Sequence, residues 1–403
     1  MDYGEELTAY GDFIKGTCNL MCPVNERKLR ERERLLHPLE RLEHPVSDVS
    51  NIIHTKRNLR RNGNYLADPN KIVKSFSRSA AGHKMPSPSD LRPFPALDMT
   101  VSYLIREIAC NNIHTAGWVD RYNFVTDRLR AVRQDMVIQN LPSVDCIKLL
   151  KPMVKFHVFA AYWLCESPIN VFDPKINSSF LQECIKRLLN MYDIIRKTAN
   201  RDDSVFIPVT VDFNQAKKQL VYKGEYCNEE HLICALYLIL NLGNAEALNQ
   251  GIARLRFYGG CCQSCIESQA FEVSIASWHG NYNKVCKLIR NLSPLLGMAA
   301  AINLPSIRRH ALIVMSTAYN NKTLKFPIDV LEETLMWNNQ NQVVQDCKYY
   351  GVVVEKTEDT KLYARFQKET FNLHVKQLPP FRLQWLDKTL SDVALAKILA
   401  DHC

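Results

Sequence analysis

The stretch from residue 118 to 140 constrains the fold most, because it carries a long apolar stripe and contains no Gly or Pro. Its apolar side chains recur at steps of three and four residues, at Tyr122, Val125, Leu129, Val132 and Met136. This spacing places them on one face of an α-helix. Phe124, Ala131 and Ile138 lie beside the stripe and widen it. The sequence therefore predicts a helix that is covered on more than one side.

Charged residues are interleaved with this stripe, and two interpretations of them stay open. They are Arg121, Arg128, Arg130, Arg133, Asp120, Asp127 and Asp135. In the first interpretation they form a solvated surface of weak ion pairs, such as Asp127 with Arg130 one turn on. In the second, some arginines are partly buried and hold neighbouring segments through their planar guanidinium groups. Composition alone favours the solvated surface.

Three motifs in this order resemble the SAC three/GANP family. The run FVTDRLRAVRQD from Phe124 to Asp135, with Gln139 behind it, is similar to that family's F-x-x-D-R-x-R-x-I-R-Q-D-x-x-x-Q helix, with Val132 in place of Ile. The run GTCNLMCPVNER from Gly16 to Arg27 is similar to its G-T-C-x-x-M-C-P-x-x-E-R opening, and 91–93 to its L-R-P element. The resemblance covers roughly residues 13–370.

The resemblance implies a structural role for the motif residues, in which an N-terminal strap packs on a helical body. We call these residues the signature. They are Gly16, Thr17, Cys18, Met21, Cys22, Pro23, Glu26, Arg92, Pro93, Asp127, Arg128, Arg130, Arg133, Gln134 and Asp135. A K-x-x-K-x-F-x-R-S segment that also recurs in the family lies at 71–79.

The rest of the N-terminal region is charged and rich in proline. Pro23 opens a short helix-like run whose charges are expected to be solvated. A second helix is predicted over 68–76, because Asp68 can cap it and Pro69 suits its first position. Four prolines between residues 82 and 95 predict a linker or an extended strap.

After Pro95 the pattern predicts a mainly α protein, with helix upon helix joined by short polar turns, an α-solenoid. Three helices and a strand hairpin follow from 304, which is the order of a winged helix. The resemblance implies the same architecture, TPR/PCI-like helical repeats capped by a winged helix. We predict domains at 1–95, 96–303, 304–375 and 376–403. The last of these is a tail with a helical stripe at Leu383, Leu386, Leu390 and Val393, which docks on the body or on a partner.

Motif searches give no reason to expect an enzyme or a cofactor. Phosphate-loop, dinucleotide-binding, zinc-protease and serine-hydrolase motifs are all missing from the sequence. Cys262 and Cys265 form a C-x-x-C, but His279 and Cys286 are too far apart to complete a usual zinc set. Cys18 and Cys22 have only His37 and His44 nearby, and packing is the favoured role for them.

Nucleic acid is the serious candidate ligand. The net charge of +9 is compatible with nucleic acid or with an acidic protein. Candidate nucleic-acid contacts in the predicted winged helix are Arg308, Arg309, Lys322, Lys325, Lys348 and Lys361. They are too few for a sequence-specific reader, so a contact with RNA or DNA that is independent of sequence is expected. A winged helix that contacts only protein fits the same residues.

The resemblance gives two functional hypotheses. In the first, the chain is a subunit of an mRNA-export complex at the nuclear pore, bound to a PCI-domain protein and a small acidic Sem/DSS-type peptide. In the second, it is a centrosome or spindle scaffold that binds only protein, as in short family members without Phe-Gly repeats. A proteasome-lid-like subunit is a weaker third option. The acidic N-terminus is no secretory signal and 232–242 is too short to cross a bilayer, so we expect a location in nucleus and cytoplasm.

Overall fold

A computed structural model describes residues 13–42, 66–78, 85–111, 117–201, 227–257, 266–357, 361–393 and 395–399. The chain divides into two compact units, residues 1–153 and 154–403. The described residues are mainly helical and include a small three-stranded sheet. This confirms the predicted fold class at that level and is consistent with a helical solenoid.

The first unit is built on two long helices. Its helices are α1 (Val24–Arg32), α2 (Phe94–Tyr103), α3 (Trp118–Ile138) and the first part of α4 (Ser143–Trp163). Single 3₁₀ turns lie at Pro38–Glu40 and Pro88–Asp90, and α2 continues into a π-helical turn at Leu104–Ala109. The whole predicted stripe of α3, from Tyr122 to Met136, is buried.

The predicted helix over 68–76 is wrong beyond its first turn. Ile72 N still donates to Asp68 O at 3.0 Å, but residues 72–78 form no helix. The amides that a helix would use donate elsewhere: Lys74 N binds Met21 O at 3.0 Å, and the neighbouring amides bind carboxylates described below. Tertiary acceptors thus outweigh the local helix propensity.

The second unit contains the remaining helices of the array. They are α5 (Pro174–Arg201), α6 (Cys227–Leu240), α7 (Ala245–Phe257), α8 (Ile266–Trp278), α9 (Tyr282–Ile289), α10 (Pro294–Ala301) and α11 (Leu304–Ala318). Helix α10 was not predicted. All its residues from Leu295 to Ala301 are buried, so it lacks the polar face that produces a helical period. Residues 206–209, predicted as a strand or loop, lie outside the described residues.

A helix–strand–helix–helix–strand–strand module follows, of which α11 is the first helix. Its other elements are β1 (Phe326–Pro327), α12 (Ile328–Leu335), α13 (Gln340–Tyr349), β2 (Val353–Lys356) and β3 (Leu362–Arg365). The sheet is antiparallel in the order β1–β3–β2, with Phe326 opposite Ala364 and Val354 opposite the same residue. The two-residue strand β1 was too short to predict.

The tail docks on the second unit. It forms α14 (Gln384–Asp392) and α15 (Leu395–Leu399), and α14 packs against α10. Leu383, Leu386 and Leu390 of the predicted stripe are buried. The phenol oxygen of Tyr162 accepts from Leu383 N at 2.9 Å and donates to Asp387 Oδ1 at 2.7 Å. Of the two predicted alternatives, the structure therefore has the tail on the body.

Candidate functional site

The signature residues of α3 lie at the centre of a buried ionic network in the first unit. Asp135 is fully buried between two cations. Its Oδ2 accepts from Arg92 Nε at 2.7 Å, and its Oδ1 accepts from Lys74 Nζ at 2.7 Å. Arg92 is itself fully buried and also donates to Met21 O at 3.2 Å. Asp135 therefore joins α3 to two separate parts of the N-terminal region.

A second carboxylate, that of Glu40, also binds two cationic side chains. It is fully buried and binds the guanidinium groups of Arg30 and Arg128, the latter with Nη2 to Oε2 at 3.1 Å. Glu40 also accepts from the backbone amides of Val73 at 3.1 Å and His37 at 3.2 Å. Arg128 is 6% exposed, so the solvated interpretation is wrong for this arginine. The solvation expected for the charged run is likewise wrong for Arg30 and Glu40.

Carboxylates hold the segment 72–77 by its backbone. Besides the amide of Val73 on Glu40, Ser75 N donates to Glu26 Oε1 at 2.7 Å and Phe76 N donates to Asp127 Oδ2 at 3.2 Å. Glu26 comes from α1 and Asp127 from α3. Two signature acids and Glu40 therefore fix the path of this segment without using its side chains.

Further signature residues of α3 hold the same segment by its side chains and carbonyls. The guanidinium of Arg130 lies 3.8 Å from the ring centre of Phe76, a cation–π contact. Gln134 Nε2 donates to Ser77 O at 2.9 Å. Arg133 is half-buried on α3. Together with Asp127, these contacts align the segment along α3.

The opening motif lies against the L-R-P element. Gly16 N donates to Gln139 Oε1 at 2.8 Å, and Gln139 Nε2 donates to Arg92 O at 2.8 Å. A Cβ at Gly16 would lie 2.5 Å from Leu91 O, which only a glycine avoids. Thr17 N and Cys18 N donate to Pro88 O at 2.8 Å and Leu91 O at 3.0 Å.

The two motif cysteines are buried thiols. Cys22 packs in an apolar cluster with Leu36, Ala67 and Ile72. Burial, with Glu26 as the next contribution, raises the pKa of the Cys22 thiol to about 12. Met21 and Cys18 are buried beside it, and Pro23 directly precedes α1, while Pro93 directly precedes α2. The Cys22 thiol therefore contributes apolar packing in this cluster.

The part of the chain that the structure describes contains no cluster of three or more His, Cys, Asp and Glu able to hold a metal ion. The C-x-x-C cysteines Cys262 and Cys265, together with His44, lie outside that part. Cys286 is buried in α9. No described helix is both long enough and apolar enough to cross a membrane.

A groove of about 620 Å³ lies between α5, α6 and α7 in the second unit. Arg196 and Arg254 line it, but both bind the fully buried carboxylate of Glu230, at 3.2 and 2.7 Å. Arg254 also donates to Asp193 Oδ2 at 2.9 Å. These cations are therefore already neutralised by acids of the groove itself.

The structure removes Arg308 from the candidate nucleic-acid contacts. Arg308 is 3% exposed, and its Nε donates to Leu335 O at 3.0 Å, while Nη2 donates to the carbonyl of Met336, the left-handed residue that ends α12. Its guanidinium lies over the ring of Phe381 at 4.3 Å. Burial lowers the pKa of Arg308 to about 10. Its guanidinium therefore binds the carbonyls at the end of α12 and is not accessible to a phosphate.

The five other candidates differ in exposure and in their partners. Arg309 is half-buried and donates to Leu373 O at 2.7 Å. Lys322 and Lys361 are exposed, and exposed Lys325 pairs with Glu355 at 3.3 Å. Arg365 pairs with the same carboxylate at 3.0 Å. Lys348 is exposed on α13. The charge of the sheet edge is therefore mixed, not continuously basic.

Sequence reasoning missed three members of the ionic network, Arg30, Glu40 and Lys74. The sequence contains a signal for Lys74, because this residue belongs to the K-x-x-K-x-F segment. It contains no signal for the burial of Arg30 and Glu40, since they lie in a run of mixed charges and their burial depends on contacts with α3.

Comparison with known proteins identifies a family whose model covers the ionic network. The model of the SAC3/GANP family matches residues 21–356, which include α1, the segment at 72–77 and all of α3. The chain belongs to the SAC3/GANP family. It is 26% identical to Protein xmas of Drosophila melanogaster over 358 residues, 85% of this chain and 15% of that protein. It is 26% identical to SAC3 family protein 1 of Schizosaccharomyces pombe over 391 residues, 94% of this chain and 34% of that protein.

A plant relative matches a shorter part of the chain. SAC3 family protein B of Arabidopsis thaliana is 29% identical over 189 residues, 46% of this chain and 10% of that protein. The chain thus spans no more than about a third of the length of these relatives.

Proposed function

We propose that this SAC3/GANP chain is a non-enzymatic scaffold subunit of an mRNA-export complex. In this proposal it binds a PCI-domain protein, together with a small acidic Sem/DSS-type peptide, at the nuclear pore. The observation that carries the proposal is the ionic network. The charged signature residues Glu26, Arg92, Asp127, Arg128 and Asp135 bind segments of the chain itself. Because these charged residues bind the chain itself, they serve to build a rigid body for assembly and do not form a reaction centre.

The module from α11 to β3 supports the rest of the proposal. Its helix–strand–helix–helix–strand–strand order and its β1–β3–β2 sheet match those expected of a winged helix. We propose that it is a winged helix, that the helices before it are PCI-like repeats, and that it contacts RNA or DNA without sequence specificity. Arg309, Lys322, Lys325, Lys348 and Lys361 remain the candidate contacts.

One observation favours the alternative, a scaffold for centrosome duplication or spindle organisation that binds only protein. Glu355 places a negative charge against both Lys325 and Arg365 at the sheet edge, and Arg308 is buried. The continuous basic surface that the export hypothesis expects over Arg308, Arg309, Lys325 and Lys348 is therefore interrupted.

A pull-down of the tagged chain from cell lysate, followed by mass spectrometry, separates the two functions. It is run at low and high salt, with and without RNase. The export proposal expects a PCI-domain protein and a small acidic peptide under all conditions, with further proteins that RNase removes. Centrosomal proteins without a PCI partner or RNA would overturn that proposal and support the alternative.

A further inference from the structure

Two surfaces of the module expose cations, and they differ in the groups that lie beside those cations. At the sheet edge, Glu355 binds both Lys325 and Arg365. At the C-terminal end of α13, Lys348 and Lys376 are exposed and form no ion pair with a carboxylate of the described residues. Asp346, on the same turn as Lys348, accepts from Trp337 Nε1 at 2.7 Å and is half-buried. Lys348 and Lys376 are therefore open to an anionic ligand.

An exposed aromatic ring belongs to the residue after Lys348 and contacts the backbone of Lys376. Tyr349 is 42% exposed, and its phenol donates to Lys376 O at 3.1 Å. Its ring meets that of Tyr350 edge-on, with centroids 5.1 Å apart and planes at 83°. Tyr350 in turn stacks on Phe371 at 5.9 Å and 7°. The Tyr349 ring is thus held in place before any ligand arrives.

The segment that carries Lys376 is also fixed. Asn372 N donates to Tyr350 O at 2.8 Å, and Leu378 N donates to the phenol oxygen of Tyr350 at 3.1 Å. Arg309 anchors the intervening carbonyl of Leu373 at 2.7 Å. The two contacts of Tyr350 hold the segment against the end of α13, and Arg309 ties it to α11. Lys376, His374 and Leu373 are exposed on it.

We propose that this surface, which we call the α13 end (Lys348, Tyr349, His374 and Lys376), binds single-stranded nucleic acid. One base stacks on the ring of Tyr349, while Lys348 and Lys376 bind the phosphates on either side of it. A rigid, exposed aromatic ring flanked by uncompensated cations suits unpaired bases, because a duplex keeps its base faces stacked inside. This inference rests on the proposed nucleic-acid contact of the module and assigns it to a ligand class and a place.

The test is fluorescence anisotropy of the purified full chain with a labelled oligouridylate of about 12 nucleotides, and with an RNA duplex of about the same length. Tyr349→Ala is expected to weaken binding of the single strand about 5- to 100-fold, the range for loss of one base–aromatic stack. Tyr349→Phe keeps the ring and is expected to bind nearly as the wild type. Lys348→Ala with Lys376→Ala is expected to lower the slope of log affinity against log salt by about 1.4.

The matched control is Lys284→Ala with Lys287→Ala, which removes two exposed cations of α9, outside the module, and is expected to change binding of the single strand little. Melting curves establish that each variant is folded, and Tyr349→Leu replaces Tyr349→Ala if the latter does not fold. The proposal is overturned if the duplex binds as tightly as the single strand, if Tyr349→Ala and Tyr349→Leu both bind like the wild type, or if the control pair loses as much affinity.

A labelled polyglutamate peptide of similar length tests the other class of polyanion. If it binds with dependence on Tyr349 while the oligouridylate does not, the α13 end is a peptide site and the proposal is wrong. Because this assay uses the purified chain, its failure is distinguishable from failure of the proposed scaffold function, which the pull-down reports.

Discussion

Replacing Glu40 with Gln removes one charge from the centre of the ionic network while conserving the volume of the side chain. The carboxylate of Glu40 binds Arg30 and Arg128 and accepts two backbone amides, and it is fully buried. Breaking a buried ion pair on one side costs about 3–5 kcal/mol. Gln retains one acceptor oxygen, so the low end, about 3 kcal/mol, is expected.

This loss is expected to appear as faster hydrogen exchange in the segments that Glu40 holds. A cost of about 3 kcal/mol corresponds to an opening equilibrium about 100-fold more populated. Mass spectrometry of peptides covering residues 24–42 and 66–78 measures this change. The control is Glu33→Gln, because Glu33 pairs with Arg32 on the surface, with side chains 51% and 72% exposed. Unchanged exchange in Glu40→Gln, or an equal change in Glu33→Gln, would refute the reasoning.

Three further predictions concern single groups. Burial raises the pKa of Asp346, so its carboxylate costs stability above the unfolded-state pKa of about 3.9. Asp346→Asn is expected to raise the melting temperature at pH 7, with a gain that shrinks as the pH falls toward that value. Tyr162→Phe is expected to speed hydrogen exchange of residues 383–390 without affecting the first unit, because Leu383 N and Asp387 lose their hydrogen bonds to the phenol. Cys22 is expected to resist alkylation in the folded chain at pH 8, since a pKa of about 12 leaves about one thiol in 10⁴ ionised. Mass spectrometry measures its labelling, which unfolding in guanidinium restores.

The helices were largely predictable because their signals are local. The stripe of α3 lies within 21 residues, and a period of three and four residues is enough to recognise it. Helix α10 was not predicted because it is apolar on every side and therefore shows no helical period. The path of the segment at 72–77 was not predicted, because its amides donate to Glu26, Glu40 and Asp127. These acceptors are distant in sequence, so no local pattern indicates them.

The placement of the charged residues was much less predictable. Arg128 and Glu40 are 88 positions apart, so neither could be assigned to the interior from its own neighbours. Arg308 stood in a cationic run that suggested a phosphate contact. Its burial depends on the carbonyls at the end of α12 that have no acceptor role within the helix, where Met336 adopts a left-handed conformation. The resemblance to a family located Arg128, and a cationic run drew attention to Arg308, but only tertiary contacts gave their roles.

The most direct test of the internal role of the signature is to compare Arg128→Ala with Arg32→Ala in two measurements, the melting temperature and the recovery of partners in the pull-down. Arg128 is buried on Glu40, whereas the side chain of Arg32 is 72% exposed. The account predicts that Arg128→Ala lowers the melting temperature and that Arg32→Ala does not. An unchanged melting temperature for Arg128→Ala with loss of partner proteins would contradict the account, because the signature would then face a partner instead of the chain's own interior.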